Sequence, residues 1–280
     1  MKSIDWSDRV AADFRERILL EPDSPILAVK ANRDRYTLST QRSYAGLPYL
    51  GSQTSEDALT WNVFRSLQKA GRLDILCNEL GIGEPRAMLL WALATEVDDT
   101  NAYLQYVVGM LIRKFDGILA GQITEPDVVM LGSRGVAVIE CKLGESRKPL
   151  SHLWEGSLGS VQKRLTIYRQ AEPNLISKDV TLAQITCIYQ LVRIAFYAAQ
   201  VAGHFSTTPV VVSLVNDMNW HVKIPGLDRS PARLWEFFLE AVTLPTVKGK
   251  TLTWQRISTL VTEGGLDTLA DYLSTHPCLK

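Results

Sequence analysis

The sequence predicts an α/β protein: a central mixed β-sheet flanked by helices, with helical additions at both ends of the chain. Three observations carry that expectation. Residues 128–131 and 136–141 are short Val- and Ile-rich runs separated by Gly132-Ser133-Arg134-Gly135, the composition of a β-hairpin with a tight turn. Residues 209–215, PVVVSLV, contain no charge, as expected for an interior strand of a mixed sheet. Between and around these runs, apolar residues recur at helical spacing.

Composition sets the bounds. A chain of 280 residues can hold one large domain or two small ones, and 46% hydrophobic with 21% charged residues is ordinary for a globular protein. Thirty basic residues balance thirty acidic ones, which disfavours a protein that coats nucleic acid non-specifically. A local excess follows the hairpin: Arg134, Lys142, Arg147, Lys148, Lys163, Arg164 and Arg169 face only Glu140, Glu145 and Glu155 between residues 134 and 169. The cysteines (Cys77, Cys141, Cys187, Cys278) and the histidines (His152, His204, His221, His276) are too scattered for a zinc cluster or a disulfide scaffold. Such cysteine usage fits a reduced, cytoplasmic compartment best. No apolar run reaches the roughly 18 residues of a membrane span, and the N-terminus has no apolar signal core.

Taken in order, residues 5–20 read as an amphipathic helix through Trp6, Val10, Phe14 and Ile18, ended by Pro22 and Pro25. Residues 26–50 read as an irregular surface arm in which Lys30, Arg33, Arg35 and Arg42 lie near Tyr36 and Tyr44. Ser55 caps a helix whose first turn holds Glu56 and Asp57, favourable against the helix dipole. Residues 72–85 form a Gly-rich connection, 86–94 a strand or short helix, and 101–116 a helix. Beyond the hairpin, 144–150 is a basic loop and 160–170 a helix.

A long helix then covers 182–201. Its polar stripe of Gln190, Arg193, Tyr197 and Gln200 reads first as solvent-exposed. Three further helices are expected at 232–242, 253–262 and 266–274, the last two as an appendage. The expected organisation is an N-terminal helix and arm over 1–50, a core over 51–230 and a C-terminal helical segment over 231–280.

Chemistry concentrates at one end of the hairpin. Asp127 opens the first strand, and Glu140 and Lys142 close the second on a shared face, with Cys141 on the other. Two carboxylates beside an ammonium are costly to bury without a purpose, and a divalent cation would relieve the repulsion between the acids. Pro126-Asp127, twelve intervening residues and Glu140-Cys141-Lys142 together resemble the PD-(D/E)XK, or restriction-endonuclease-like, nuclease superfamily. There is a narrower similarity to bacterial restriction endonucleases.

The resemblance spans roughly residues 52–216. It implies a Mg2+- or Mn2+-dependent endonuclease whose metal ligands are Asp127, Glu140 and the Cys141 backbone carbonyl, with Lys142 orienting the water or stabilising the transition state. Glu56 matches a further metal-shell acid by position, with Asp57 as its rival. The implied partner is nucleic acid, foremost DNA; the candidates to reach it are Arg147, Lys148, Lys163 and Arg164 from the basic excess and Gln190 and Arg193 from the helix stripe. Two coordinated cuts in a duplex would favour a homodimer. Two other readings stand beside this one. The first is a catalytically silent nucleic-acid-binding module of the same fold. The second is an unrelated α/β protein whose triad is a surface salt bridge.

Overall fold

The structure is a computed structural model that describes residues 10–33, 46–52, 55–117, 125–143, 154–221 and 230–279. Its centre is a six-stranded mixed sheet in the order β2-β1-β3-β4-β5-β6. Strands β1 (Pro85–Leu90), β2 (Leu93–Ala94), β3 (Val128–Gly132) and β4 (Gly135–Cys141) pair antiparallel. Strands β5 (Thr208–Val215) and β6 (Lys248–Thr253) continue the sheet in parallel from β4.

The β3–β4 hairpin forms where the sequence places it, with Val128 opposite Ile139 and Leu131 opposite Val136. Its turn is held by the preceding connection. Ser133 N–H donates to the Glu84 carbonyl at 2.8 Å and Arg134 N–H to the Ile82 carbonyl at 2.9 Å. A Cβ on Gly132 would collide with that same Ile82 carbonyl, so only glycine allows the close approach.

Side-chain alternation divides the core into two layers. One face of the sheet carries Val129, Leu131, Val136, Val138 and Val211. It is covered by α4 (Asp99–Leu111), α5 (Leu158–Ala171), α7 (Tyr189–Phe205) and α8 (Pro231–Ala241). The other face carries Val128, Met130, Ala137, Ile139, Val212 and Leu214. It is covered by α2 (Glu56–Lys69), α3 (Leu73–Leu80), α9 (Trp254–Glu263) and α10 (Asp267–Thr275), and Leu27 and Ala31 of α1 (Pro25–Arg33) join the same layer. The short α6 (Leu182–Thr186) precedes α7.

Several expectations are corrected. Residues 14–17 make a single 3-10 turn where a helix over 5–20 was expected, and the part before Val10 lies outside the described residues. Pro25 opens α1 instead of ending a helix, because the first helical turn needs no N–H from proline. The Gly-rich connection contains α3, closed by Gly81 in the left-handed conformation at φ 72°. Residues 182–201 are two helices, broken at Ile188 (φ −123°, ψ 18°). The C-terminal segment is no appendage: β6 joins the sheet, and Leu252, Trp254, Ile257 and Leu273 belong to the core beneath it. Among the described residues, no helix is long and apolar enough to cross a membrane.

The C-terminal packing carries a pH dependence. His276 is 1% exposed, and burial pushes its imidazole down from the ordinary histidine value of 6.5 to about 4. The unfolded chain therefore takes up the proton first, and stability falls as pH drops from about 6.5 to about 4. The full loss is worth about 3 kcal/mol. Urea unfolding at pH 7 and pH 4.5 should show this decline, and His276→Gln should flatten most of it. An unchanged slope in the variant would place the responsible proton elsewhere.

Candidate active site

The sheet brings the predicted residues together at the end of the hairpin. Continuing the β3–β4 register by one pair sets Asp127 opposite Glu140. The Asp127 carboxylate folds back onto the neighbouring strand, where its Oδ2 accepts the Cys141 N–H at 2.8 Å. On the other side, the Trp91 N–H donates to the Asp127 carbonyl at 3.0 Å. Trp91 and Ala92 form the tight β1–β2 turn with φ of 51° and 61°, a conformation that non-glycine residues seldom adopt outside such turns.

Glu140 is 4% exposed. Lys142 Nζ lies 2.8 Å from Glu140 Oε1 and 3.4 Å from Glu56 Oε1, so one ammonium bridges two carboxylates. Glu56 Oε2 accepts the Leu143 N–H at 2.9 Å. The Lys142 backbone is fixed from both directions. Its N–H donates to the Leu214 carbonyl at 2.7 Å, and its carbonyl accepts the Trp254 indole N–H at 3.3 Å. Lys142 is thus a tethered lysine with 19% of its side chain exposed, set between the buried Glu140 and the partly exposed Glu56.

Glu56 reaches the site because Ser55 caps α2, its side chain accepting the Ala58 N–H at 3.0 Å, which aims the first turn at the end of β4. Asp57 points elsewhere and pairs with Lys30 at 3.0 Å. The Lys30 ammonium in turn lies 4.9 Å from the centre of the Trp91 ring.

The electrostatics follow from burial and crowding. Burial pushes the Asp127 carboxyl well above the usual range, and Glu140 adds to this while Lys142 opposes it. Burial also raises Glu56, again against the pull of Lys142. The Glu56 side chain keeps 30% of its surface exposed, so solvent moderates its shift. Burial opposes the charge on Lys142, but Glu140, Glu56 and Asp127 outweigh it and hold the ammonium well above the ordinary lysine range. Its carboxylate neighbours therefore hold Lys142 as a charged donor.

One atom bears directly on whether the donor set suits a divalent cation. Glu140 Oε2 is buried and has no hydrogen-bond partner, so a carboxylate oxygen remains available beside Asp127. No cluster of three His, Cys, Asp or Glu side chains able to hold a metal occurs among the described residues. A cation here would thus depend on two carboxylates, backbone oxygen and water, a set that suits Mg2+ better than zinc.

The substrate-side residues fare differently. Arg147 and Lys148 lie outside the described residues. Lys163 is exposed on α5. Arg164 is committed to Asp116 at 2.6 Å, with 13% of its side chain exposed. Gln190 is half-buried, and its backbone N–H donates to the Trp154 carbonyl at 3.0 Å. Arg193 is 2% exposed and Tyr197 1%, which corrects the solvent-exposed stripe. Arg193 Nη2 stands 3.9 Å from Glu140 Oε2, and its burial leaves it little access to an external phosphate.

Behind Arg193 is a cluster that sequence reasoning missed. Asp116, at the end of a π-helical turn (Ile112–Asp116), accepts the Tyr168 hydroxyl at 2.5 Å on Oδ1 and the Tyr197 hydroxyl at 2.7 Å on Oδ2. The Asp116-Gly117 pair reads as a helix breaker, which hides the carboxylate's role. The only signal was an arginine and a tyrosine four residues apart on a helix that otherwise reads as core.

No protein-family model matches the chain, and no curated protein or solved structure matches it.

Proposed function

We propose that this protein is a Mg2+- or Mn2+-dependent nuclease with a restriction-endonuclease-like core, hydrolysing phosphodiester bonds in DNA. The observation that carries the reading is Glu140. It is a buried carboxylate with one oxygen on Lys142 and the other lacking a hydrogen-bond partner, opposite Asp127 at the open end of a hairpin. The chain order α2, α3, β1, β2, α4, hairpin, α5, α6, α7, β5 contains the succession helix, strand, hairpin, helix, strand that the resemblance implies, with further elements between, and supports the reading.

In this reading Asp127 and Glu140 would hold the cation, with the Cys141 carbonyl as a third oxygen donor. When bound, the cation neutralises charge on the scissile phosphate and lowers the pKa of a bound water. The chain's own groups do the rest. Asp127 is oriented by the Cys141 amide. Lys142, kept protonated by its carboxylate neighbours, donates to a phosphoryl oxygen as charge builds up on it. Glu56 has a donor on each oxygen, so it positions Lys142 and the chain after β4 instead of completing the metal shell.

Incubation with plasmid, linear and single-stranded DNA, and with RNA, tests the proposal in Mg2+ or in chelator. DNA should be cut only with Mg2+ or Mn2+, and Asp127→Ala should abolish cutting. Cleavage that persists in chelator, or in Asp127→Ala, would sink the mechanism. Metal-independent binding without cleavage would favour the silent nucleic-acid-binding module.

A further inference from the structure

We propose that Arg193 is a positioning residue: a built-in counter-cation that holds Glu140 ready and keeps the site folded when no metal is bound. The inference rests on the nuclease reading above. Arg193 lies in the middle of α7 among Leu191, Val192, Ile194, Ala195, Phe196 and Ala198, all buried. A guanidinium in such surroundings is retained only where its charge is matched.

Its geometry toward Glu140 is specific. At 3.9 Å, Arg193 Nη2 is close enough to stabilise the charge on Oε2 but too far to hydrogen-bond to it. The lone pairs of Oε2 stay available while its charge is compensated. A shorter bidentate pair would have consumed the oxygen that the site needs.

Charge accounting points the same way. Asp116 does not need Arg193 as its ion-pair partner, because Arg164 sits 2.6 Å from its Oδ1 and two tyrosine hydroxyls complete its shell. At the hairpin end, Glu56, Asp127 and Glu140 face Lys142 and Arg193. Lys142 is already shared between Glu140 and Glu56. Without Arg193, three crowded carboxylates would depend on one shared ammonium, and a divalent cation would become necessary for the fold as well as for chemistry. Asp116, fixed by the hydroxyls of Tyr168 and Tyr197, adds to Glu140 in favouring the charge on the guanidinium.

The test is thermal unfolding of the full chain in chelator and in Mn2+, for the wild type, Arg193→Gln and Arg193→Lys. Arg193→Gln should unfold at a lower temperature in chelator. Mn2+ should raise its midpoint by about 5 °C more than it raises that of the wild type. Its apparent Mn2+ affinity by titration calorimetry should be about tenfold tighter or more, since a repelling charge beside the cation is gone. Arg193→Lys keeps the charge and should respond like the wild type.

A midpoint lowered equally in chelator and in Mn2+ would overturn the proposal, leaving Arg193 as ordinary packing. A wild type that shows neither a Mn2+ shift nor cleavage would instead remove the nuclease reading, and this inference with it. Should Arg193→Gln fail to fold, the double variant E140Q/R193Q decides in chelator. Recovery of folding supports a charge-compensating role, and failure to recover overturns it.

Discussion

Lys142→Ala should lose cleavage by on the order of a thousandfold while keeping its secondary structure. The magnitude follows from what the residue supplies. Removing one preorganised donor aimed at developing charge costs roughly 10²–10³ in turnover. Lys142 is such a donor: its Nζ lies 2.8 Å from Glu140, its backbone is clamped on both sides, and neighbouring carboxylates hold its proton. Truncation also leaves Glu140 Oε1 without its ammonium. With 19% of the Lys142 side chain exposed, water can fill part of that gap, so the fold should weaken and not collapse. Lys142→Arg should restore little, because a planar fork cannot replace a compact ammonium between Glu140 and Glu56. Plasmid-nicking rates, normalised to folded protein by circular dichroism, measure the effect. A rate within tenfold of wild type would remove Lys142 from the chemistry.

Asp116→Ala should be the most destabilising single substitution in the second polar cluster, by about 3–5 kcal/mol. The carboxylate is 7% exposed on its side chain and meets Arg164, Tyr168 and Tyr197. Its removal strands a largely buried guanidinium and two buried hydroxyls together, and each unsatisfied group carries a desolvation cost. Tyr168→Phe and Tyr197→Phe should each cost far less, about 1 kcal/mol, because a hydroxyl leaves without stranding a charge. Denaturant unfolding of the three variants gives the comparison. If Asp116→Ala costs no more than either phenylalanine variant, the carboxylate is not the hub of the cluster.

The hairpin was legible in the sequence because everything that defines it is local. Val and Ile runs on either side of a Gly-flanked turn fix the strands, and the turn fixes which residues face each other. The opposition of Asp127 and Glu140 follows from counting residues. Glu56 was legible for a similar reason, since Ser55 and two acids mark a helix start. What escaped was decided by distant partners. The sequence of β6, KGKTLT, is polar because the strand lies at the sheet edge. It becomes a strand only by pairing with β5, more than thirty residues earlier in the chain. Arg193 and Tyr197 look solvent-exposed on any helical projection, because periodicity separates polar from apolar positions but cannot tell water from a buried carboxylate. Pro25 misled for a narrower reason: proline marks a helix start as readily as an end.

The contact between the Trp254 indole and the Lys142 carbonyl has a consequence in time. These residues are separated by 112 positions in the chain. A polypeptide growing from its N-terminus carries Glu56, Asp127, Glu140 and Lys142 long before it carries Leu214 and Trp254, the residues that fix the Lys142 backbone. The motif is synthesised early, but the geometry that arms it arrives late, with the parallel strands. Completion of the site is thereby tied to completion of the sheet.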